Sequence, residues 1–346
     1  MSPSIREVAK KAGVSLGTVS NAINRPEILA PGTLRKVNRV IEELGFVPNA
    51  SARKLRVGRT RVIGLMVPDI SNPFFTDLAK GVSEAALAGR YVVILCNTDE
   101  SSEKELQYLD VLTAQNVEGI LITPARDSNR ALVGVAEKGI RLVLVDRIAQ
   151  GLQACSVAFN DSYGGTLAID HLYENGHRKI LLLTGEENIP QVAERNSGLR
   201  KAMSKFPSED ATVVSEIRIE SMTTFCAYEA MRKKLENPLD FTGIICGNDL
   251  IALGAIRALR ERNISVPGEV SVIGYDDIDF ARSAAVPLTS ISQPAFELGY
   301  AAAELLISEC EYPERHVHQR IEFQPNLVVR ESTGPASEQL SHLKIS

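Results

Sequence analysis

The sequence predicts an α/β protein in two parts, a small helical unit at the N-terminus followed by a large core of parallel sheets. Within the first 46 residues apolar side chains recur at helical spacing, and from Arg61 onward apolar runs of strand length alternate with helix-length amphipathic stretches. The charge divides at the same place. Residues 1–61 contain 12 Lys or Arg and 4 Asp or Glu, a net charge of +8, whereas the whole chain carries −5 and the remainder therefore −13. The basic charge on the helical part indicates contact with nucleic acid.

Two short helices separated by a glycine are predicted at the start of the chain. Ser4 and Glu7 form a capping box that begins the first helix, and Gly13 ends it. Ser15 can cap the second helix, in which Val19 faces the first. The other side chains are predicted to face outward: Leu16, Gly17, Thr18, Ser20 and Asn21. This pattern is typical of a helix-turn-helix whose second helix lies in a DNA major groove, and the local charge favours it over an ordinary helical hairpin.

A third helix and a basic linker complete the N-terminal part. Pro31 suits the first turn of this helix and Gly45 its C-terminal end, so residues 1–46 form a three-helix headpiece. Residues 47–60 are predicted to be a hinge segment. Asn49 can cap a short helix there that contains one large apolar side chain, Leu55. The helix is too short to be stable in isolation.

The core is predicted to consist of two α/β lobes. Strand-length apolar runs lie at 62–67, 91–96, 119–123, 141–145, 156–159, 180–184, 243–246 and 270–275. Strands that are apolar on both faces belong to buried parallel sheets. About 270 residues are long for one sheet and suit two α/β lobes, and a break near Asn160 begins the second lobe.

Polar residues follow several of these runs, where ligands of open α/β sheets bind. The positions after residues 67, 145, 246 and 274 supply carboxylates, an amide, an arginine and aromatic rings. This combination suits a polyol, because carboxylates and amides bind vicinal hydroxyls while a ring covers the apolar sugar face. Three aspartates nearby are better explained as helix caps: Asp161, Asp249 and Asp277.

Motifs of enzymes and metal sites are missing from the sequence. There is no Gly-x-Gly-x-x-Gly after a strand, no phosphate loop, no His-Glu-x-x-His and no Gly-x-Ser-x-Gly, so we expect neither catalysis nor a bound cofactor. His316 and His318 have no further ligand near them in sequence and are expected to be solvated. The five cysteines lack Cys-x-x-Cys spacing and are interpreted as reduced core residues of a cytoplasmic protein. No signal sequence or membrane-spanning run is present.

Three motifs resemble the lac repressor/galactose repressor family of transcriptional regulators. They are Val14-Ser15-x-x-Thr18-Val19-Ser20-x-x-x-Asn24, Gly45-Phe46-x-Pro48-Asn49-x-x-Ala52-x-x-Leu55, and Ile63-Gly64-Leu65 with Asn72-Pro73-Phe74-Phe75. The similarity runs from about Ser4 to Arg330. It implies a ligand-responsive repressor whose Leu55 wedges into the minor groove at the operator centre. The DNA-binding residues it implies are Ser15, Leu16, Gly17, Thr18, Ser20, Asn21, Asn24, Asn49, Ala52, Arg53 and Leu55.

The resemblance also implies that the core, 61–332, is like the periplasmic sugar-binding proteins, with a chain that crosses between the lobes repeatedly. Lobe 1 is then about 61–160 and 291–320, lobe 2 about 161–290 and 321–332, and 333–346 form a tail. The effector, a sugar, sugar derivative or sugar phosphate, would lie between the lobes. The residues implied for it are Asp69, Phe74, Asp146, Gln191, Arg195, Asn248, Asp276 and Gln293. Where some relatives carry an aromatic ring, this chain has Met222.

The sequence differs from relatives at two places in the headpiece. Leu16 and Gly17 stand where relatives often carry base-reading side chains, and Ala30 stands where a capping hydroxyl is common. A homodimer on a pseudo-palindromic operator is expected, because one short recognition helix reads too few base pairs. A phosphoprotein corepressor remains open as a partner, as does the sign of the effector response. The alternative function is a solute-binding protein without a DNA role.

Overall fold

The computed structural model describes residues 3–46, 60–125, 129–148, 151–207 and 212–337. They belong to two units that divide after Thr60. The hinge helix and the predictions for Asn49, Ala52, Arg53 and Leu55 lie outside the described residues.

The N-terminal unit consists of three helices, α1 (Ile5–Ala12), α2 (Leu16–Asn24) and α3 (Pro31–Leu44). The predicted caps are confirmed: Ser4 and Glu7 form the capping box, and the Ser15 side chain accepts a hydrogen bond from the Thr18 N–H. Gly13 ends α1 at a φ of 59°, a conformation that favours glycine. Ala30 makes no side-chain capping bond at the start of α3, as its missing hydroxyl predicts. Val8, Ala12, Val19 and Val37 are fully buried between the helices.

The prediction that Ser20 faces outward is wrong. Its side chain is only 6% exposed, whereas Leu16 on the preceding turn is 46% exposed. Helix α2 packs against both α1 and α3. Because two neighbours cover it, a wider face of the helix is buried than contact with α1 alone predicts, and this face includes Ser20. Ser15, Leu16 and Gly17 remain exposed, and Thr18 and Asn21 are half-buried.

The core unit alternates strands with helices. Its first stretch contains β1 (Val62–Val67), α4 (Pro73–Ala88), β2 (Val92–Asn97), α5 (Ser102–Ala114), β3 (Gly119–Ile122), α6 (Asn129–Glu137), β4 (Arg141–Val145) and β5 (Cys155–Phe159). Its second stretch contains α7 (Asp161–Glu174), β6 (Lys179–Thr184), α8 (Pro190–Met203), β7 (Val213–Arg218), α9 (Thr224–Lys234), β8 (Gly243–Cys246), α10 (Asp249–Glu261), β9 (Ser271–Asp276), α11 (Asp279–Ser283) and β10 (Thr289–Ser292). The last stretch contains α12 (Ala295–Glu311), β11 (Arg320–Phe323) and β12 (Asn326–Val328).

These strands form two six-stranded sheets, one in each lobe. The first has the order β11-β5-β4-β3-β1-β2, and all its neighbours are parallel. The second has the order β12-β10-β9-β8-β6-β7, and only β12 is antiparallel to its neighbour. The predicted α/β fold with parallel sheets in two lobes is confirmed, and the eight predicted runs correspond to β1–β6, β8 and β9.

The chain crosses between the lobes after β5, after β10 and after β11. The chain was predicted to enter lobe 1 again at 291 and lobe 2 again at 321, and both boundaries are wrong by a few residues. Strand β10 remains in the second sheet up to Ser292, and β11 pairs with β5 in the first sheet. Pro325 interrupts what looks like one terminal strand and separates β11 from β12. Helix α12 then packs on α4 so closely that a Cβ at Gly81 would lie 2.0 Å from the Phe296 carbonyl oxygen.

No helix within these described ranges is both long and apolar enough to cross a membrane.

Candidate effector cleft and DNA-contacting helix

A cavity of about 610 Å³ opens between the carboxyl ends of the two sheets. Residues from both lobes line it: Pro68, Asp69, Ser71, Asn72, Phe74, Phe75, Asp99, Glu100, Asp146, Arg147, Ile189, Gln191, Val192, Arg195, Glu220, Ser221, Met222, Thr223, Asn248 and Asp276. We call this cavity the cleft. Seven of the eight residues predicted for the effector lie in its wall. The eighth, Gln293, does not line the cleft but is buried, with its Nε2 donating to Asp161 Oδ1 over 3.4 Å.

A hydrogen-bonded link between Asp146 and Gln191 joins the lobes across the cleft. Asp146 follows β4 in lobe 1 with a φ of 56°, and Gln191 lies in the first turn of α8 in lobe 2. Gln191 Nε2 donates to the Asp146 carbonyl oxygen over 2.9 Å and to its Oδ2 over 2.5 Å. The other oxygens of this pair, Asp146 Oδ1 and Gln191 Oε1, are buried and accept no hydrogen bond from the described residues.

Burial raises the pKa of Asp146 to about 6, and the negative charge of Asp161 adds to the rise. The positive charge of Arg147 and the hydrogen bond from Gln191 oppose it. The carboxyl therefore titrates close to neutral pH.

Arg195 organises the lobe 2 wall of the cleft. Its Nε donates to Asp161 Oδ1 over 2.7 Å, and its Nη1 donates to the Gly247 carbonyl oxygen over 2.7 Å. The guanidinium carbon lies 3.6 Å from the centre of the Tyr275 ring, and Nη2 is 4.0 Å from Asp276 Oδ1. Burial lowers the pKa of Arg195, but the charges of Asp161, Tyr275 and Asp276 outweigh this effect and leave the pKa above its usual range. The guanidinium is thus a fixed cation that faces two carboxylates.

The prediction that Asp161, Asp249 and Asp277 cap helices is wrong. Asn160 and Asn248 supply the caps of α7 and α10. Asp161 instead holds Arg195 and accepts from the Tyr275 hydroxyl over 3.0 Å. Asp277 forms two salt bridges. Its Oδ1 lies 2.5 Å from Arg330 Nη2, and its Oδ2 lies 3.2 Å from Arg282 Nη2.

Asp249 is buried behind the cleft and fixes the turn that carries Asp276. Its two oxygens accept from the Ser290 hydroxyl over 2.6 Å and from the Ile278 N–H over 2.8 Å. Burial raises the pKa of Asp249 to about 7 despite these two bonds. Asn248, the preceding residue, caps α10, because its Oδ1 accepts from the Ile251 N–H. With Asn248 as the cap, the side chain of Asp249 points inward.

Asp276 ends β9 at a φ of 102° and is buried in the cleft wall. Burial raises its pKa well above the usual range, while Arg195 opposes the rise. The Asn72 side chain of lobe 1 also acts to lower the pKa of Asp276.

Two aromatic rings complete the lobe 1 wall. Phe74 is nearly buried and meets the half-buried ring of Phe75 edge to face, with centroids 5.0 Å apart. Phe75 therefore contacts both the core and the cleft.

Sequence reasoning missed several residues of the cleft. Asp99 and Glu100 follow β2, where the rule used for the other strands would have found them. Glu220, Ser221 and Thr223 follow β7, a strand too polar to be recognised by its apolar residues. The register that placed Met222 near the cleft is correct.

The two parts of the chain match descriptions of known families. Residues 4–49 match the bacterial regulatory proteins of the lacI family, and residues 60–326 match the periplasmic binding proteins and sugar binding domain of that family. The chain is 35% identical over 341 residues to the transcriptional regulator DegA of Bacillus subtilis, with 97% of this chain and 99% of DegA covered. It is 34% identical over 329 residues to the transcriptional repressor PurR of Vibrio atlanticus, with 94% and 97% covered.

A solved structure of a similar regulator contains a sugar. This LacI family transcriptional regulator from Enterococcus faecium has bound ribose and is 30% identical to the chain. The TM-score is 0.72, and the match covers 79% of this chain and 99% of the solved one.

Proposed function

As a member of the lacI family of bacterial regulatory proteins, the chain is a DNA-binding transcriptional repressor with an effector-binding core, and we propose that its effector is a neutral sugar. The observation that carries this proposal is the pair of unpartnered buried oxygens on the link between the lobes, Asp146 Oδ1 and Gln191 Oε1. A buried acceptor without a partner costs about 1–3 kcal/mol. Hydroxyl groups of a sugar between the lobes would donate to both oxygens and recover that free energy.

The charge of the cleft favours a neutral ligand over a sugar phosphate. Its wall contains six carboxyl groups and two guanidinium groups, the latter from Arg147 and Arg195. The pKa is raised for two of the carboxyl groups, Asp146 and Asp276, and the other four, Asp69, Asp99, Glu100 and Glu220, still outnumber the guanidinium groups. Arg195 already pairs with Asp161. A phosphate group would therefore meet a net negative field, whereas hydroxyl groups find acceptors on every side. The ribose in the similar regulator from Enterococcus faecium supports the same ligand class.

We further propose that α2 contacts the operator. Leu16 is exposed and can touch a thymine methyl group, while the Ser15 and Thr18 side chains lie at the helix start, within reach of phosphates. Gly17 adds no side chain, so direct base reading through this helix rests on Leu16 and Asn21. Ser20 is buried and is not expected to touch DNA.

A homodimer is supported by exposed apolar side chains on both lobes. In lobe 1 they lie on α4 and on the edge strand β2, at Leu87, Val92 and Leu95. Lobe 2 contributes Phe225 and Phe280. An exposed apolar edge strand favours association, and a second copy of the chain would cover these surfaces.

Sugar binding tests the effector proposal directly. In calorimetric titrations of the full chain, we expect D-ribose or another neutral monosaccharide to bind and ribose 5-phosphate to bind more weakly. Asp276→Asn should weaken that binding by about 10- to 100-fold, because the amide nitrogen cannot accept a hydrogen bond from a sugar hydroxyl, and a buried polar group left unpaired costs about 1–3 kcal/mol. The control is Asp279→Asn, an exposed carboxylate three residues along the chain.

Two results would contradict the neutral-sugar proposal. One is tighter binding of the phosphorylated sugar, and the other is unchanged affinity in the Asp276→Asn variant. Operator binding is tested separately, by sequencing the DNA retained from a random duplex pool at a stated salt concentration, because salt alters phosphate contacts. Enrichment of a palindrome is expected for a dimer.

A further inference from the structure

The two histidines that were expected to be solvated both lie beside a buried cysteine, and His318 is exposed as expected whereas the side chain of His316 is buried. Cys155 is the first residue of β5, and His316 and His318 lie in the segment between α12 and β11. Since β5 and β11 are parallel neighbours, their amino ends bring this segment onto Cys155. The side chain of His316 is only 3% exposed. This cluster is at the amino ends of the strands, the opposite edge of the first sheet from the cleft.

A fourth group approaches the cluster from α12. Glu309 Oε2 lies 3.9 Å from His316 Nε2. This oxygen is buried and makes no hydrogen bond with the described residues. The cluster therefore contains a thiol, two imidazoles and a carboxylate that come from three separate segments of the chain.

The distances among the thiol and the two imidazoles suit a small tetrahedral metal site, since one ligand atom from each lies within 4.8 Å of the other two. Cys155 Sγ lies 3.2 Å from His316 Nε2 and 3.9 Å from His318 Nδ1. In a tetrahedral zinc site the bonds are about 2.3 Å to sulfur and about 2.0 Å to nitrogen, which places neighbouring ligand atoms about 3.5 Å apart. The two measured distances lie on either side of that value, so small side-chain shifts would complete the geometry.

The surroundings of the cluster fit a second layer around a metal. His316 Nδ1, the ring nitrogen that faces away from Cys155, lies 3.5 Å from Ser308 Oγ. Histidines that bind metals commonly use their second nitrogen in this way, because the bond fixes the ring orientation. The Gln319 N–H donates to Cys155 Sγ over 3.2 Å and holds the sulfur in place.

We propose that Cys155, His316 and His318 bind one zinc-type divalent cation, with the Glu309 carboxylate beside His316. Thiolate and imidazole ligands select zinc and similar transition metals, while magnesium and calcium prefer oxygen ligands. The ion ties the end of α12 and the start of β11 to β5. Glu311, two residues after Glu309, pairs over 3.2 Å with Arg61, the first residue of the core unit. The site thus braces the edge of lobe 1 where the chain enters the core.

Cobalt titration tests this site without reference to the effector. Full-length protein without an affinity tag is stripped with a chelator and titrated with Co²⁺, which reports a thiolate ligand through a charge-transfer absorption band. We expect one cobalt per chain, displacement of the band by Zn²⁺ and no competition from Mg²⁺. Cys155→Ser should abolish the band, while Cys96→Ser, which replaces another buried cysteine of the same sheet, should retain it.

Histidine variants make the test independent of the folding of the cysteine variant. His318 is exposed, so His318→Ala should fold and should weaken zinc binding by more than 100-fold. The control His171→Ala removes a histidine that hydrogen-bonds Thr333 far from the cluster and should leave zinc binding unchanged. Ser308→Ala, which removes only the second-layer contact, should weaken binding by about tenfold. A wild-type protein without the band, or His318→Ala protein with wild-type zinc affinity, would overturn the proposal.

Discussion

Replacing Asp249 by Asn should remove a large pH dependence from the stability of the core. The pKa of this carboxyl is about 7 in the folded chain and 3.8 in the unfolded reference. The folded state therefore holds the proton more tightly, and the stabilisation is complete below about pH 4 and is lost as the pH rises through 7. Between pH 5 and pH 8 the free energy of unfolding falls, and most of this fall occurs between pH 5 and pH 7. At about 1.4 kcal/mol per pH unit, the fall amounts to about 3 kcal/mol.

The variant preserves the local hydrogen bonds in outline. An amide oxygen at this position can still accept from the Ile278 N–H, and the Ser290 hydroxyl can turn to accept from the amide nitrogen. We would measure thermal unfolding of the wild type and the variant at pH 5, 6, 7 and 8. The melting temperature of the wild type should fall relative to that of Asp249→Asn by about 6 °C across this range.

A surface variant separates this effect from the general titration of the protein. Asp240 is 59% exposed and pairs with Lys234, so Asp240→Asn should follow the wild type at every pH. Other buried carboxyls, such as Asp146, titrate in all three proteins and cancel in the comparison. Parallel melting curves for the wild type and Asp249→Asn would refute the reasoning, because they would show that Asp249 stays ionised despite its burial.

Three further changes test the cleft, the helix packing and the headpiece. Sugar affinity should rise as the pH increases through about 6, since the ionised Asp146 is the better acceptor, and Asp146→Asn should bind weakly at every pH in calorimetry. Gly198→Ala should lower the urea midpoint of unfolding by an amount equivalent to more than about 2 kcal/mol, because its Cβ would meet a backbone oxygen at 1.7 Å. In the control Gly134→Ala the added Cβ has nothing within 4 Å, and because residue 134 lies inside α6 the midpoint should stay the same or rise, by the equivalent of up to about 1 kcal/mol. Ser15→Ala should destabilise the headpiece by about 1 kcal/mol in thermal unfolding, and the same loss in Thr18→Ala would contradict a specific capping role for Ser15.

The strands of the core could be predicted wherever burial on both faces leaves an apolar run. Strand β7 escaped prediction because it lies at the edge of the second sheet, with residues Val213, Glu216 and Arg218 exposed. The boundary between β11 and β12 also escaped, since only pairing shows that the two short strands belong to different sheets.

The cleft was predictable because parallel strands present their carboxyl ends at one edge, and this rule located Asp69, Asp146, Asn248 and Asp276. The roles of the neighbouring polar residues could not be predicted from the sequence. Asn248 and Asp249 are both good capping residues, and only the geometry after β8 decides that the asparagine caps while the aspartate turns inward.

Contacts between distant parts of the chain set the remaining limit. Cys155 and His316 are 161 residues apart, and no local spacing relates them. The link between Asp146 and Gln191 likewise depends on how two lobes face each other, which periodicity does not encode. The hydrogen bond between Arg195 and Asp161 joins two helices whose separation only the packing of α7 on α8 defines.

The late position of α12 in the chain has a consequence for synthesis on the ribosome. Lobe 1 needs this helix to cover α4, where Leu78 and Val82 are fully buried, and it also needs β11 to complete its sheet. Both emerge only after the whole second stretch of the core, from α7 to β10, has been translated. The apolar face of α4 therefore lacks its partner helix α12 while the ribosome adds well over a hundred further residues, from Ala88 to Ala295. During that interval the nascent chain is exposed to chaperones and proteases, and a premature stop before α12 leaves neither lobe complete.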